Sequence, residues 1–184
     1  DLIQSIVMSL ALVTVVTYGI NSAGGFAAVM DNARSLPGYL SLNNTFDAAN
    51  NTSNSFSFIS IVSTLAWGIG YFGMPHILVR FMAIEDEKKL TLSRRIASVW
   101  VVIAMTVGIF IGVVGLAMTK AGSLENLADS ETVIVRITGL ISRHGVLAAL
   151  IAGVILAGIL AATMSTSDSQ LLTAASGVSQ NILH

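Results

Sequence analysis

The chain has 184 residues, of which 54% are hydrophobic and only 10% charged, and its mean hydropathy is +0.80. Soluble domains carry about 25% charged residues, so this composition excludes the soluble class. A net charge of −1 provides no electrostatic footprint for nucleic acid, and the lack of cysteine excludes disulfides and thiolate metal sites. There is no initiator Met and no signal peptide, so we expect an internal piece of a longer membrane protein, with the rest of its own polypeptide as a partner.

Four stretches without Asp, Glu, Lys or Arg are long enough to cross a lipid bilayer, which takes roughly 20 mostly apolar residues per helix. They are residues 2–30, 56–79, 96–119 and 145–167. The sequence therefore predicts an all-α membrane protein, with 1–184 as one membrane domain. The expected helices cover approximately 2–30, 56–84, 94–119 and 145–182.

The basic residues predict how the helices are oriented. Segment 80–95 holds five of the nine Lys and Arg residues, and basic loops stay on the cytoplasmic side. We therefore expect an inner loop at 85–93, outer loops at 31–55 and 120–144, both ends of the chain in the cytoplasm, and a multi-pass location in the plasma membrane. The Asn- and Ser-rich loop 31–55 is typical of coil, whereas apolar residues at helical spacing after "DSE" predict a short amphipathic helix within 120–144.

The second apolar stretch contains residues that break helices. Pro75 removes a backbone donor and clashes with the Tyr71 carbonyl, and Gly70 and Gly73 weaken the helix further. Backbone groups freed in this way are tolerated at membrane depth only against protein or water. Trp67 and Tyr71 are four residues apart and share a face if the helix holds locally. This pattern favours a broken helix that forms a site over the alternative, in which small residues only let helices pack closely.

The fourth stretch carries a face of small and hydroxylated residues at spacings of three or four. Hydroxyl and carbonyl oxygens are suitable ligands for a small hard cation. Equally, Ser and Thr can simply bond back to their own helix or join two helices. Asp168 marks either an ion exit or the water boundary. The face comprises Gly158, Ala162, Ser165, Thr166, Ser169, Thr173 and Ser176.

Enzyme chemistry has no support in the sequence. It contains no nucleophile–base pair, His-Glu metal cluster or phosphate loop, and its three histidines lie in separate segments. We predict that the protein is not an enzyme. A channel is also disfavoured, because no charged or carbonyl-rich filter motif is present.

Four segments closely resemble the sodium/solute symporter family, and the first of them is typical of its proline branch. They are "WGIGYFGMPHILVRFMA" followed by "RRIASVW", then "ILAATMSTSDSQLL", and the opening "DLIQSIVM". The resemblance implies a LeuT-type fold of two inverted repeats. The four helices would then be the last of the first repeat and the first three of the second, one of them broken at Gly70–Pro75.

The resemblance also implies a site. The family's substrate positions match Trp67, Tyr71 and Pro75, and its sodium positions match the Ala162 carbonyl, Ser165 and Thr166. Its functional acid matches Asp1. Met74 departs from the pattern, because some relatives have Gln there.

The implied function is sodium-coupled import of a small organic solute, L-proline in the first place, by alternating access. The alternative is a transporter-like membrane module that senses a solute for a signalling domain elsewhere in the polypeptide. Nothing in the 184 residues separates the two.

Overall fold

The computed structural model describes residues 2–47, 50–71, 73–84 and 86–182, and most of them are helical. Asp1 therefore lies outside the described residues. In chain order the elements are α1 (Leu2–Ser22), α2 (Phe26–Ser35), β1 (Asn44–Asp47), β2 (Thr52–Ser55), α3 (Phe58–Tyr71), α4 (Pro75–Met82), α5 (Glu87–Lys120), a 3-10 turn (Ser130–Thr132), α6 (Val133–Ile141) and α7 (Val146–Ile182).

Within the described residues, three helices are long and apolar enough to cross a membrane: Gln4–Ser22, Lys89–Lys120 and Val146–Ser179. The second expected span, 56–84, is not one long helix. It consists of the shorter apolar helix Phe58–Tyr71, a break, and α4. The long helices α5 and α7, of 34 and 37 residues, exceed the roughly 20 residues that a bilayer requires, so their ends extend past the hydrocarbon.

The first helix is shorter than the expected range 2–30. It ends at Ser22, because Gly24 and Gly25 have φ angles of +92° and +102°, a conformation that favours glycine and cannot continue a right-handed helix. A separate helix, α2, then begins at Phe26. The uncharged run in the sequence continues through this corner, so hydropathy alone could not show it.

The composition of loop 31–55 predicts coil, but the structure shows regular elements in it. Helix α2 continues to Ser35, and β1 and β2 form an antiparallel hairpin in which Asn44 pairs with Ser55 and Asp47 with Thr52. The Asn44 side-chain amide donates to the Ser53 hydroxyl at 2.9 Å. Polar cross-strand pairs of this kind stabilise the hairpin without the apolar alternation that sequence patterns detect.

The chain folds as two compact units. The first comprises residues 1–55 and 101–160, and the second comprises residues 56–100 and 161–184. The first unit holds the hydrophobic core, in which side chains from α1, α2, α5 and α6 are almost fully buried. The largest of these are Val15, Val29, Ile111, Val114, Met118 and Ile137.

Two glycines allow close packing within the first unit. A Cβ atom at Gly19 of α1 would collide with the Val114 side chain of α5, and one at Gly115 would collide with Val133 of α6. The Ser123 hydroxyl also donates to the Ser22 carbonyl at 2.8 Å, which joins the end of α1 to the segment after α5. Helix α6 occupies the place where the sequence predicts a short amphipathic helix, with Ile137 fully buried.

Among the side chains that the structure describes, the second unit has no core comparable to that of the first. Every described side chain in 56–100 and 161–179 is exposed or half-buried within this chain, including the large apolar side chains of α3. Apolar surface of this extent is stable only against lipid or other protein.

Candidate functional site

The helix break lies inside the predicted stretch Gly70–Pro75. Helix α3 ends at Tyr71, and a tight turn follows in which the Gly73 amide donates to the Gly70 carbonyl at 3.1 Å and the Met74 amide to the Tyr71 carbonyl at 3.3 Å. Met74 is extended, with φ −68° and ψ 123°, and Pro75 opens α4. Proline is favoured at this first position, since its missing N–H has no helical partner there.

The predicted substrate residues Trp67 and Tyr71 come together at the end of α3. Their rings stack, with centroids 5.7 Å apart and an interplanar angle of 27°. Because the spacing of four residues is kept by the helix, both rings lie on one face. Trp67 is 77% exposed and Tyr71 49% exposed within this chain, so the paired rings offer an apolar surface directly before the break.

The predicted ion residues Ala162 and Thr166 also come together, on α7. The Thr166 hydroxyl donates to the Ala162 carbonyl at 3.1 Å, and Ser165 beside them is half-buried. Oxygen atoms that coordinate one hard cation at about 2.3–2.6 Å can lie this close to each other. The same bond is the ordinary back-bond of a helical threonine. Ser167, Ser169 and Thr173 make similar bonds within α7, so the geometry accommodates both interpretations of the hydroxyl face.

The predicted sodium residues on α7 form no hydrogen bond with the predicted solute residues on α3 in the described parts of the chain. In the described parts of the chain, neither the Ser165 nor the Thr166 hydroxyl bonds to α3. Pro75 and Asp168 are exposed, and Asp168 lies within α7, well before its end at Ile182. Asp1, outside the described residues, has no structural outcome.

Sequence patterns missed a polar cleft in the first unit. Ala23, helix α2 and the end of α5 with Ala121 border an open surface cleft of about 340 Å³, which four alanines and four polar residues line. The polar residues are Asp31, Asn32, Ser35 and Lys120. Asp31 and Ser35 are four residues apart, which places them on one face if residues 26–35 are helical. The sequence alone did not predict that helix, so the spacing could not indicate a shared cleft.

A model of the Sodium:solute symporter family matches residues 1–184, which is the whole chain. The chain belongs to this family. Membership places the protein among multi-pass membrane transporters and not among enzymes, in agreement with its three long apolar helices.

Individual members of the family resemble the chain along nearly all of its length. The chain is 33% identical over 181 residues, 98% of its length, to proteins named "Sodium/proline symporter" from Staphylococcus aureus, including those of strains JH9 and Newman. It spans about a third of those relatives, 32% of their length. No solved structure matches the chain significantly.

Proposed function

We propose that the full protein is a sodium-coupled symporter that imports a small organic solute, L-proline, by alternating access across the plasma membrane. The observation that carries this proposal is the family match over the whole chain, together with 33% identity to sodium/proline symporters. The chain is a part of the transport unit, and the remaining polypeptide supplies the other helices.

The solute would bind at the end of α3. A proline molecule has an apolar ring and a charged head, and the stacked rings of Trp67 and Tyr71 offer an apolar face beside the backbone of a helix break. The Gly70 and Tyr71 carbonyls in the main-chain turn, together with the first turn of α4 after Pro75, would offer that head polar partners.

Sodium, the coupling ion, would bind the oxygens on α7. The Ala162 carbonyl and the Thr166 hydroxyl are already 3.1 Å apart, and Ser165 adds a third oxygen. Hard cations take several oxygen ligands, so further ligands would come from the rest of the polypeptide.

Coupling requires that each ligand stabilises the conformation that the other binds. A coupling free energy of about 1–3 kcal/mol is enough to link two sites. In the proposed LeuT-type arrangement, one inverted repeat would rock against the other around the sites near the membrane midplane. Asp168, on α7 beyond the ion residues, would lie on the route by which sodium leaves.

The test is uptake of labelled L-proline by the full-length protein in proteoliposomes, with an inward sodium gradient and with a potassium gradient as control. We expect accumulation above the external concentration only with sodium. Accumulation of another solute would keep the mechanism and reject proline. Absence of gradient-driven uptake of any amino acid, in protein that still binds proline, would reject symport and favour the sensor.

A further inference from the structure

The segment around the start of α5 carries a concentration of positive charge that the proposed transport site does not use. Segment 80–95 holds five of the nine Lys and Arg residues of the chain and three acidic residues, a net charge of +2. The acidic residues all precede residue 88, and every charged side chain from there to Arg95 is basic. The part of α5 next to the membrane is therefore cationic.

Arg94 and Arg95 lie at the boundary of the hydrocarbon. They are the last charged residues of α5 before the uncharged run 96–119. Long basic side chains at such a boundary extend along the helix to the level of the lipid phosphates. Val99, four residues after Arg95 and so on the same face, is 61% exposed within this chain. The helix thus presents a charged group and, directly below it, an open apolar surface.

The two arginines have no counter-charge among the described residues. Both side chains are exposed, and in the parts of the chain that the structure describes neither guanidinium group makes an ion pair or a hydrogen bond. No acidic residue lies three or four positions from either arginine, where a helix allows an ion pair. Lys89, by contrast, has an interaction partner within the chain. The anion that neutralises Arg94 and Arg95 has to come from outside the described residues.

Phospholipid head groups provide the anion that this position selects. A guanidinium group matches the geometry of a phosphate and can bind two of its oxygens at once. The head group of phosphatidylcholine also carries an ammonium group, which offsets its phosphate, whereas phosphatidylglycerol has a net negative charge. Two adjacent unpaired cations therefore favour the anionic lipid.

We propose that Arg94 and Arg95 form a binding site for an anionic phospholipid. The guanidinium groups would bind the phosphate, and one acyl chain would lie along α5 over Val99. The site is separate from the proposed solute residues on α3 and sodium residues on α7. The lipid bound there would be a structural partner of the transporter rather than its cargo.

The test measures which lipid contacts the helix below the arginines, by quenching of tryptophan fluorescence with brominated phospholipids. In the full-length protein, Val99→Trp is made the only tryptophan by replacing Trp67, Trp100 and any outside this chain with Phe. The protein is placed in vesicles of equal parts phosphatidylglycerol and phosphatidylcholine, one of them brominated in the upper part of its acyl chains. Val99 is about 6 Å past Arg95 along the helix axis, which is the depth of such bromine atoms.

The matched control reporter keeps the native Trp100 as the only tryptophan and leaves Val99 unchanged. Trp100 is at nearly the same depth, but it lies about 140° around the helix from Arg95. It is 39% exposed within this chain, so lipid can reach it. A preference for the anionic lipid that comes from the whole membrane surface would be the same at both reporters.

We expect Val99→Trp to contact phosphatidylglycerol about fivefold or more in preference to phosphatidylcholine, because each basic side chain at an anionic surface strengthens association about fivefold. The preference at Trp100 should be smaller. Arg94→Gln combined with Arg95→Gln should lower the preference at Val99→Trp to that at Trp100. Arg143→Gln, which removes an exposed charge in the first unit, should leave it unchanged.

Equal contact with both lipids at Val99→Trp, the same preference at Trp100, or a preference that survives the two Arg→Gln changes would overturn the inference. Absence of quenching by either lipid would overturn it too, since protein from the rest of the polypeptide would then cover this surface. The comparison of the two lipids at Val99→Trp and Trp100 uses intact arginines, so it decides even if the Gln variant fails to fold. The measurement contains neither sodium nor proline, and its failure would leave the proposed symport standing.

Discussion

Thr166 shows how one side chain can serve either the helix or an ion. Its hydroxyl donates to the Ala162 carbonyl at 3.1 Å. Sodium bound to both oxygens would displace this weak internal bond, so a back-bonded threonine is poised between the two roles.

We predict that Thr166→Ala in the full-length protein raises the sodium concentration for half-maximal proline uptake about tenfold or more, because losing a polar contact to a charged group costs about 1.5–3 kcal/mol. The control is Thr166→Ser, which keeps the hydroxyl and should stay within threefold of wild type. The measurement is initial uptake rate against sodium concentration. An unchanged sodium dependence of Thr166→Ala would assign the hydroxyl to the helix alone.

Tyr71 belongs to the solute side of the same proposal. We predict that Tyr71→Ala raises the proline concentration for half-maximal uptake about tenfold at saturating sodium, since it removes a ring that stacks on Trp67 at 5.7 Å and aromatic contacts contribute about 0.5–1.5 kcal/mol beyond their buried area. Tyr71→Phe keeps the ring and should retain most of the affinity. If Tyr71→Ala changes sodium affinity and leaves that of proline intact, the solute assignment is wrong.

Sequence spacing could place these pairs but not the cleft. Trp67 with Tyr71, and Ala162 with Thr166, are four residues apart within single helices, so helical geometry alone brings them together. Asp31 and Lys120 line the same cleft only because α2 packs against α5. No periodicity in the sequence predicts that two segments so far apart in the chain will meet.

The interruption between α3 and α4 is the element-scale feature that the sequence predicts best. Glycine and proline act through the local backbone, so Gly70, Gly73 and Pro75 indicate the break without knowledge of the fold. The corner after α1 has an equally local cause, the positive φ angles of Gly24 and Gly25. It escaped prediction because a Gly-Gly pair inside an uncharged run is equally compatible with a membrane helix.

We predict that Pro75→Ala lowers the maximal rate of proline uptake several-fold. Alanine restores a backbone donor that can pair with the Tyr71 carbonyl and join α3 to α4, and a continuous helix would remove the backbone groups proposed to hold the solute's head. The control is Pro37→Ala, which alters the chain's only other proline, an exposed residue after α2. Uptake and the amount of inserted protein are measured together. Full activity of Pro75→Ala would show that the break does not depend on proline.

At the scale of the whole molecule, the two units bury their surfaces to very different degrees. The first unit has a closed core around Val114 and Ile137, whereas α3 and the part of α7 in the second unit expose large apolar side chains. The proposed solute residues, Trp67, Tyr71 and Pro75, and the proposed sodium residues, Ala162, Ser165 and Thr166, all lie in the second unit. A ligand-binding face that is open in this chain is what we expect if lipid and the remaining helices of the transporter complete it.

Orientation in the membrane gives the last prediction. The basic segment 80–95 should be cytoplasmic, which places the α2–β1 connection and the segment before α6 outside. Single cysteines at the exposed positions Ser41→Cys and Ala128→Cys should then react with a membrane-impermeant maleimide in intact cells, whereas Ala83→Cys should react only after permeabilisation. Because this chain has no cysteine, only cysteines elsewhere in the polypeptide need removal. If Ala83→Cys is labelled in intact cells and Ser41→Cys is not, the orientation in the membrane is the opposite of the predicted one. The Asp31–Lys120 cleft would then face the cytoplasm.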